Sequence, residues 1–550
     1  MLLRECCRRM SSRPKTEFTF DRKMNKILIA DSLADGWQDV VDGSDVQIDI
    51  NTGRSEAELI EIIPDYAGMV VRSASQVTAA IIEAGKNLRV IGRAGAGVDN
   101  IDIQAATHRG IIVVNSPGGN TISTADHTMA MLLSLSRNIP QASQSLKEGR
   151  WDRKNYTGVE LDGKILGVMG VGRVGLQVCA RARAFGMKIL AFDPVFSEEM
   201  AEKNNFTLAT TDEILASADY ITLHAPLIKE THHMINDESL AKCKDGVRIV
   251  NCARGELIDE AALLRAIESG KVAGAAIDVY EREPPPKDHP LLKREEVICT
   301  PHLAASTTEA QEKVARQIMA SVADAIRGKP IQGAINLPSV DPSIFEAIQP
   351  YLLLGERIGS FVSQISDGSL KKMTIEYQGE ILEYATSPMT AAVLKGAVSG
   401  LTEDPVSFVN APIFARERGV QIEEKRTTSN NDYVNLISVR CETTKETTTV
   451  VGTVFGRNDP RMLQIDQFEV KARLEGDVLI CCNKDAPGVV GTMGTLLAEN
   501  GINIADMALG RESRGGKAIM VFIVDAPVSD DVLRRIESNP LVYWAKHAVL

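Results

Sequence analysis

From residue 26 to about 338 the chain alternates short apolar, β-branched runs with amphipathic stretches. The runs at 26–30, 69–71, 89–91 and 111–114 read as strands, and 56–62 and 77–84 carry helical spacing between them. This alternation predicts parallel sheets flanked by helices. Residues 123–138 read as a long helix capped by Ser123, apolar at Met129, Leu132, Leu133 and, beyond a polar turn, Ile139, and placed to connect two lobes. Next come a strand at 164–169, a glycine turn at 170–175, and a helical face of Val174, Val178, Ala182 and Phe185. A strand at 188–192 ends at Asp193 and closes a βαβ unit, and runs at 220–224, 248–251, 274–278 and 297–299 extend its sheet. The helical stretch 309–327 has no strand of its own, which predicts that it folds back on the first lobe.

Two prolines, serine and aspartate break the pattern at 336–342, as a linker would. Beyond it, 343–470 mixes helices (344–358, 388–397) with strands (371–377, 433–440, 447–455), the pattern of a separate α+β unit. The last stretch reads strand 478–481, helix 488–499, strand 502–509, turn 513–516, strand 517–524, helix 529–537 and strand 542–548, the βαββαβ order of a ferredoxin-like layer. The expected fold class is therefore α/β: two doubly wound lobes (24–120 with 304–337, and 121–303), then an α+β unit (338–472) and a ferredoxin-like unit (473–550).

Composition narrows the function classes. With 61 basic and 73 acidic side chains the net charge is −12, which disfavours nucleic acid and anionic membranes as partners. No run approaches the roughly 20 apolar residues of a membrane span, the longest candidate lying at 129–135. The nine cysteines include two adjacent pairs and no CxxC, which suits neither a disulfide framework nor a zinc site and fits a reducing cytoplasm. Residues 1–23 lack the apolar core of a secretory signal; Arg4, Arg8, Arg9 and Arg13 leave an organelle-targeting reading open beside that of a disordered or wrongly assigned start.

The chemistry begins at Gly170-x-Gly172-x-x-Gly175. It lies between a predicted strand and helix, and Asp193 ends the next strand 18 residues after the third glycine, so the dinucleotide fingerprint is met in context. A pyrophosphate would meet the helix N-terminus, and Asp193 would accept from the ribose hydroxyls and repel a 2′-phosphate, favouring NAD over NADP. Hydride transfer from a hydroxy acid further needs a base, a cation for the carboxylate and a group that keeps the base usable near neutral pH. His302, Arg254 and Glu283 each follow or end a predicted strand of the second lobe, where the ligand crevice of such sheets lies. Periodicity alone leaves equally open a structural histidine, a surface arginine and a turn glutamate before Pro284.

Asn251-Cys252-Ala253-Arg254-Gly255, Asp278-Val279-Tyr280-Glu281-Arg282-Glu283-Pro284-Pro285 and Thr300-Pro301-His302-Leu303-Ala304-Ala305-Ser306, with the fingerprint, resemble the D-isomer-specific 2-hydroxyacid dehydrogenase family. The resemblance implies that Arg254 orients the substrate carboxylate and carbonyl, that His302 is the acid/base, and that Glu283 pairs with its imidazole. It implies cofactor contacts at Gly170, Gly172, Arg173, Val174, Gly175, Asp193, Cys252, Ala253, Ala304 and Ala305, with Asp278 beside the nicotinamide.

Val70-Val71-Arg72-Ser73-Ala74 and Gly92-Arg93-Ala94-Gly95-Ala96-Gly97-Val98-Asp99-Asn100 resemble the phosphoglycerate dehydrogenases of that family, which implies substrate contacts at Arg72, Ser73, Arg93 and Gly95. Arginine suits phosphate oxygens by its forked, charge-assisted donors. Trp151-Asp152-Arg153-Lys154 resembles a loop that reaches a neighbouring subunit. Ser407-Phe408-Val409-Asn410-Ala411-Pro412, Gly452-Thr453-Val454-Phe455-Gly456 and Asp485-Ala486-Pro487-Gly488-Val489-Val490-Gly491 resemble the long, type 1 members, which carry an intervening domain and a C-terminal ACT regulatory domain.

Taken over the whole chain, the resemblance implies NAD-dependent oxidation of 3-phospho-D-glycerate to 3-phosphohydroxypyruvate, the first step of L-serine biosynthesis, in a dimeric or tetrameric homo-oligomer with no metal. It also implies feedback by L-serine held at Asp485 and Asn503; a helix cap and a turn closure are the plainer readings of those two residues. This chain departs from some members at Ala96 and Ala225, where they carry a hydroxyl beside the cofactor, and at Asn483, where some serine-regulated members carry an aromatic ring. Rival readings are a hydroxypyruvate or glyoxylate reductase, which needs neither Arg72 with Arg93 nor the C-terminal extension, and an NAD-sensing interaction protein on the same fold.

Overall fold

The computed structural model describes residues 25–41, 46–338, 340, 342–402, 405–428 and 433–550, so the reading of residues 1–23 lies outside it. The first sheet has five parallel strands in the order Val46–Ile50, Asn25–Ile29, Gly68–Val71, Val90–Arg93 and Ile112–Asn115. Helix Thr308–Ile326 returns to it, seating Val314, Ile318, Val322 and Ile326 against Ile27, Val70, Val90 and Val114. Those four positions recur at i, i+4, i+8 and i+12, one apolar stripe of a helix, and the stripe is buried against the sheet.

The second sheet has seven parallel strands in the order Val297–Cys299, Val272–Ile277, Val247–Asn251, Tyr220–Leu223, Ile165–Met169, Lys188–Phe192 and Thr207–Leu208. From Ile165–Met169 the strand order runs outward in both directions, and such a switch point opens a crevice at the carboxyl ends of the strands. The connecting helix spans Thr121–Arg137, two residues earlier than its predicted start. Ser123 is not its cap: the Oγ donates to the Asn120 carbonyl at 3.0 Å, inside the first turn. Asn138, in the left-handed region at φ 50°, ends the helix, and Ile139, expected on its apolar face, begins the next helix and is half exposed.

The third sheet is mixed, in the order Gln421–Thr427, Leu370–Gly379, Asn435–Thr443, Thr447–Phe455, Asp459–Ile465 and Phe468–Arg473, with helix Pro342–Ile365 on its buried face. The fourth is antiparallel in the order Ile504–Arg511, Lys517–Val524, Asp477–Lys484 and Val542–Val549, with helices Val489–Glu499 and Asp530–Glu537 on one face, the ferredoxin-like arrangement expected. Period-two alternation splits its strands cleanly. Leu479, Cys481, Met520 and Phe522 face the two helices, while Val478, Ile480, Cys482, Ile519 and Val521 join Leu354, Ile358 and Phe361 in the core of the preceding unit. The last two sheets therefore share one core, in which each fully buried large side chain stabilises by about 1.5–3 kcal/mol. Gln364 exchanges hydrogen bonds of 2.9 and 3.0 Å with the Val549 backbone across the same seam. Among the described residues no helix is long and apolar enough to cross a membrane.

Candidate active site

A cleft of about 570 Å³ lies between the first two sheets. Its walls bring together Arg72, Ser73, Arg93 and Gly95 from the first lobe and Arg254, Glu283, His302 and Ala305 from the second.

The first-lobe wall is built on a buried aspartate that no sequence pattern marked. Asp31 follows strand Asn25–Ile29 and is 5% exposed. One carboxylate oxygen accepts from the Arg72 N–H at 2.6 Å and the Ser75 N–H at 3.1 Å, and the other from the Ser75 Oγ at 2.6 Å. Asn100 clamps the same turn, donating to the Arg72 and Ser75 carbonyls at 2.7 and 2.6 Å. The turn that presents Arg72 and Ser73 is thus held from both sides, by the Asp31 carboxylate and by the Asn100 amide nitrogen.

Arg93 ends strand Val90–Arg93 and is mostly buried, with its Nε unpartnered. Burial, then the charges of Arg254 and Arg72, hold its guanidinium below the usual arginine range against the opposing pull of Asp99 and Asp31. Three guanidiniums that repel one another in a cleft form a site that an anion relieves. Arg254 is positioned by Asn251, which donates to the Arg254 carbonyl at 2.7 Å and accepts the Ala253 N–H at 3.0 Å. Its Nε donates to Asp99 across the cleft at 3.1 Å. Gly97 leaves room for this guanidinium: a Cβ there would lie 2.0 Å from Arg254 Nη2 and displace the side chain.

His302 sits at φ 53°, and its Nδ1 lies 2.7 Å from Glu283 Oε2. A carboxylate accepting from Nδ1–H leaves Nε2 of the neutral ring as the basic nitrogen. Burial pushes the Glu283 carboxyl up, but the hydrogen bond and charge of His302 and the Tyr280 N–H outweigh it, so the group rests below the usual glutamate range and stays ionised at neutral pH. An imidazole backed by a carboxylate and set beside three guanidiniums can take a proton from a hydroxyl whose molecule the guanidiniums hold.

The fingerprint turn runs from strand Ile165–Met169 through Gly170, at φ 96°, into helix Arg173–Ala184. Gly175 packs the helix against the turn so closely that a Cβ would meet the Gly170 carbonyl at 2.2 Å. A Cβ at Gly172 would meet nothing within 4 Å, so the surface above the turn is open to a pyrophosphate. Asp193 accepts from the Val171 N–H at 2.9 Å and the Val195 N–H at 3.1 Å, which aims one carboxylate at the rim of that surface. These residues fit an NAD molecule.

Other predicted cofactor positions are placed differently from one another. Val174 packs its side chain on the lobe's core, leaving its backbone to the turn. Arg173 donates to the Pro117 carbonyl at 2.8 Å and so faces the connection between the lobes. Cys252 is buried, and desolvation pushes its thiol up to about 12. Ala253 is half-buried beside Arg254, while Ala304 is buried beneath the loop that carries His302.

Asp278, expected beside the nicotinamide, is fully buried, and its carboxylate accepts from the Leu303 and Ala304 N–H groups at 2.8 and 2.9 Å. His127, Cys252 and Asp278 offer ligand atoms within 4.8 Å of one another, but both Asp278 oxygens are already committed to these N–H groups.

In the last unit Asp485 does not cap helix Val489–Glu499; Gly488, at φ 92°, stands there. Asp485 accepts the Gly515 N–H at 2.9 Å and lies 3.5 Å from Arg511, closing the hairpin. Asn503 donates to Asp525 at 2.6 Å. Asn483 is 2% exposed, with its Oδ1 unpartnered.

A dinucleotide turn and a carboxylate-backed histidine in a cationic cleft define a class of oxidoreductase, and residues 129–304 match the model of the D-isomer specific 2-hydroxyacid dehydrogenase NAD binding domain. Residues 347–466 match the D-3-phosphoglycerate dehydrogenase intervening domain, and 478–541 the ACT domain. The chain is 45% identical over 513 residues to a D-3-phosphoglycerate dehydrogenase of Archaeoglobus fulgidus, covering 93% of this chain and 97% of that one. It is 42% identical to one of Bacillus subtilis, covering 95% and 99%. The chain belongs to the D-3-phosphoglycerate dehydrogenase family. Among solved structures, a D-lactate dehydrogenase of Aquifex aeolicus complexed with NAD and lactic acid is 29% identical with a TM-score of 0.50, covering 55% of this chain and 96% of that one.

Proposed function

We propose that this protein oxidises 3-phospho-D-glycerate to 3-phosphohydroxypyruvate with NAD, the step that opens L-serine biosynthesis. The observation that carries the reading is the cluster of Arg72, Arg93 and Arg254 around the His302–Glu283 pair, in a chain alike over almost its whole length to dehydrogenases named for this substrate. The substrate bears a carboxylate and a phosphate, and the cleft offers cations for both. Arg254 holds the carboxylate and carbonyl; Arg72, Ser73 and Arg93 hold the phosphate, with Gly95 allowing the close approach.

NAD, when bound, supplies the hydride acceptor. Gly170, Gly172 and Gly175 leave room for its pyrophosphate at the helix N-terminus, and Asp193 selects the unphosphorylated ribose. His302 Nε2 takes the hydroxyl proton as the C–H bond is broken, and Glu283 stabilises the imidazolium that results. In the reverse direction the same imidazolium returns the proton. L-serine, held at Asp485 and Asn503 between paired C-terminal units of a homo-oligomer, is the effector in this reading.

The experiment is NADH formation from 3-phospho-D-glycerate by the protein and by its His302→Asn variant. The variant should bind NAD normally and lose about 10²–10⁴-fold in kcat, the contribution of a general acid/base. Near-normal turnover would place the base elsewhere, and no turnover by the unmodified protein would favour an NAD-sensing role.

A further inference from the structure

We propose that His127, on the helix that joins the two lobes, is a positioning residue for this reaction: it holds Asp278, and through Asp278 the loop that carries His302. The proposal rests on the reading of His302 as the proton acceptor.

The loop needs such a hold. His302 lies in the left-handed region that side-chain-bearing residues adopt only when their surroundings impose it. Three consecutive amides impose it, and all three reach one residue, the first being shared with the Thr300 carbonyl at 3.1 Å. The His302 N–H donates to the Asp278 carbonyl at 2.9 Å, the Leu303 N–H to Asp278 Oδ1 at 2.8 Å and the Ala304 N–H to Oδ2 at 2.9 Å. The direction in which His302 presents its ring therefore depends on where the Asp278 carboxylate stands.

Beside the Cys252 thiol, two further polar side chains face that carboxylate. Thr300 Oγ1 donates to Oδ1 at 2.6 Å, and His127 Nε2 lies 3.3 Å from the same oxygen and 3.4 Å from Thr300 Oγ1. Only a carboxylate can accept all of these, since an amide would turn an NH₂ toward one of the N–H groups. His127 comes from a different element, helix Thr121–Arg137, whose preceding residue Asp126 is tied to Arg181 of the fingerprint helix at 2.7 Å. The imidazole thus anchors the catalytic loop to the frame that carries both the lobe connection and the dinucleotide turn.

The test compares three His127 variants of the full chain, with Asp278→Asn alone and combined with His127→Leu, by steady-state kinetics and thermal unfolding. His127→Leu should lower kcat about 10-fold or more while both KM values stay within about twofold, because a small misplacement of a reacting group falls on the chemical step. His127→Gln, whose amide reaches the place of Nε2, should restore kcat to within about threefold, whereas the shorter His127→Asn should behave like His127→Leu. In His127→Leu, adding Asp278→Asn should cost less than in the unmodified protein, as expected of residues acting through one contact. Unchanged kcat in a folded His127→Leu, a loss confined to KM, or equal losses in the Gln and Asn variants would each overturn the proposal. The Gln and Asn comparison decides it even where the Leu variant fails to fold. If His302→Asn keeps its turnover, the reading of His302 has failed; if that variant loses activity and His127→Leu does not, only this proposal has.

Discussion

Replacing Glu283 by glutamine keeps an oxygen to accept from His302 Nδ1–H and removes the charge. The charge matters only after the proton has moved, when an imidazolium stands beside a carboxylate. For unit charges about 4 Å apart the attraction is ~1 kcal/mol in bulk water and ~4 kcal/mol at an effective dielectric of 20. The His302 and Glu283 side chains are 48% and 38% exposed, so solvent screens the pair and a value near the middle, about 2 kcal/mol, is appropriate. At 1.36 kcal/mol per factor of ten, that predicts a kcat about 30-fold lower. Because ground-state binding relies on the arginines, KM for the acid should change little. Initial rates of NADH formation at saturating NAD and varied acid separate the two constants. A kcat within about threefold of the unmodified protein would mean that the carboxylate does not stabilise the protonated ring, and its role would reduce to fixing the tautomer.

Asp193→Ala should narrow the preference for NAD over NADP in kcat/KM; an unchanged ratio would remove Asp193 from cofactor selection. Serine should inhibit the intact protein, and Asn503→Ala should raise the concentration needed, the coupling being ~1–3 kcal/mol; insensitivity of the unmodified protein to millimolar serine would leave the last unit an assembly element. Burial pushes Asp278 up, but hydrogen bonds from His127, Thr300, Leu303 and Ala304 outweigh it, so its folded carboxyl lies below the ordinary 3.8. Its stabilisation is therefore complete above that value and lost as pH falls through the lower, folded one. The urea midpoint should drop steeply in this acid range, and Asp278→Asn should lower stability at neutral pH while flattening the acid slope. An equally steep slope in the variant would contradict this.

Strands carrying β-branched runs and the glycine turn were legible because each is specified within a dozen residues. Strand Gln421–Thr427 was not: its Glu-Glu-Lys-Arg run shows no alternation, and it exists as a parallel edge strand only because Leu370–Gly379 lies beside it. The shared core of the last two sheets was equally hidden, since apolar alternation in Asp477–Lys484 reads the same whichever layer covers each face. This bears on how the serine response is tested. Cutting the chain near Arg473 would remove Val478, Ile480, Ile519 and Val521 from this shared core, so point variants serve where truncation would confound.

In the cleft, Arg254, Glu283 and His302 stood out because their motifs are local. Asp31 and His127 did not, because each acts on a partner remote in sequence, Asp31 on Arg72 and His127 on Asp278. Asp278 entered only through the resemblance of its motif, and its hold on the N–H groups of residues 303 and 304, which lie 25 and 26 residues further on, has no local signature.

If the arginine cluster selects a phosphorylated hydroxy acid, the selection must appear in the ratio of kcat/KM for 3-phospho-D-glycerate to that for D-glycerate, measured in the unmodified protein and in Arg93→Ala. Two charge-assisted contacts at about 1.5–3 kcal/mol each predict a ratio of roughly 10²–10⁴. Removing one should cut that ratio about 10–100-fold while D-glycerate turnover stays within a few-fold. Comparable kcat/KM for the two acids, or equal losses on both in Arg93→Ala, would contradict it.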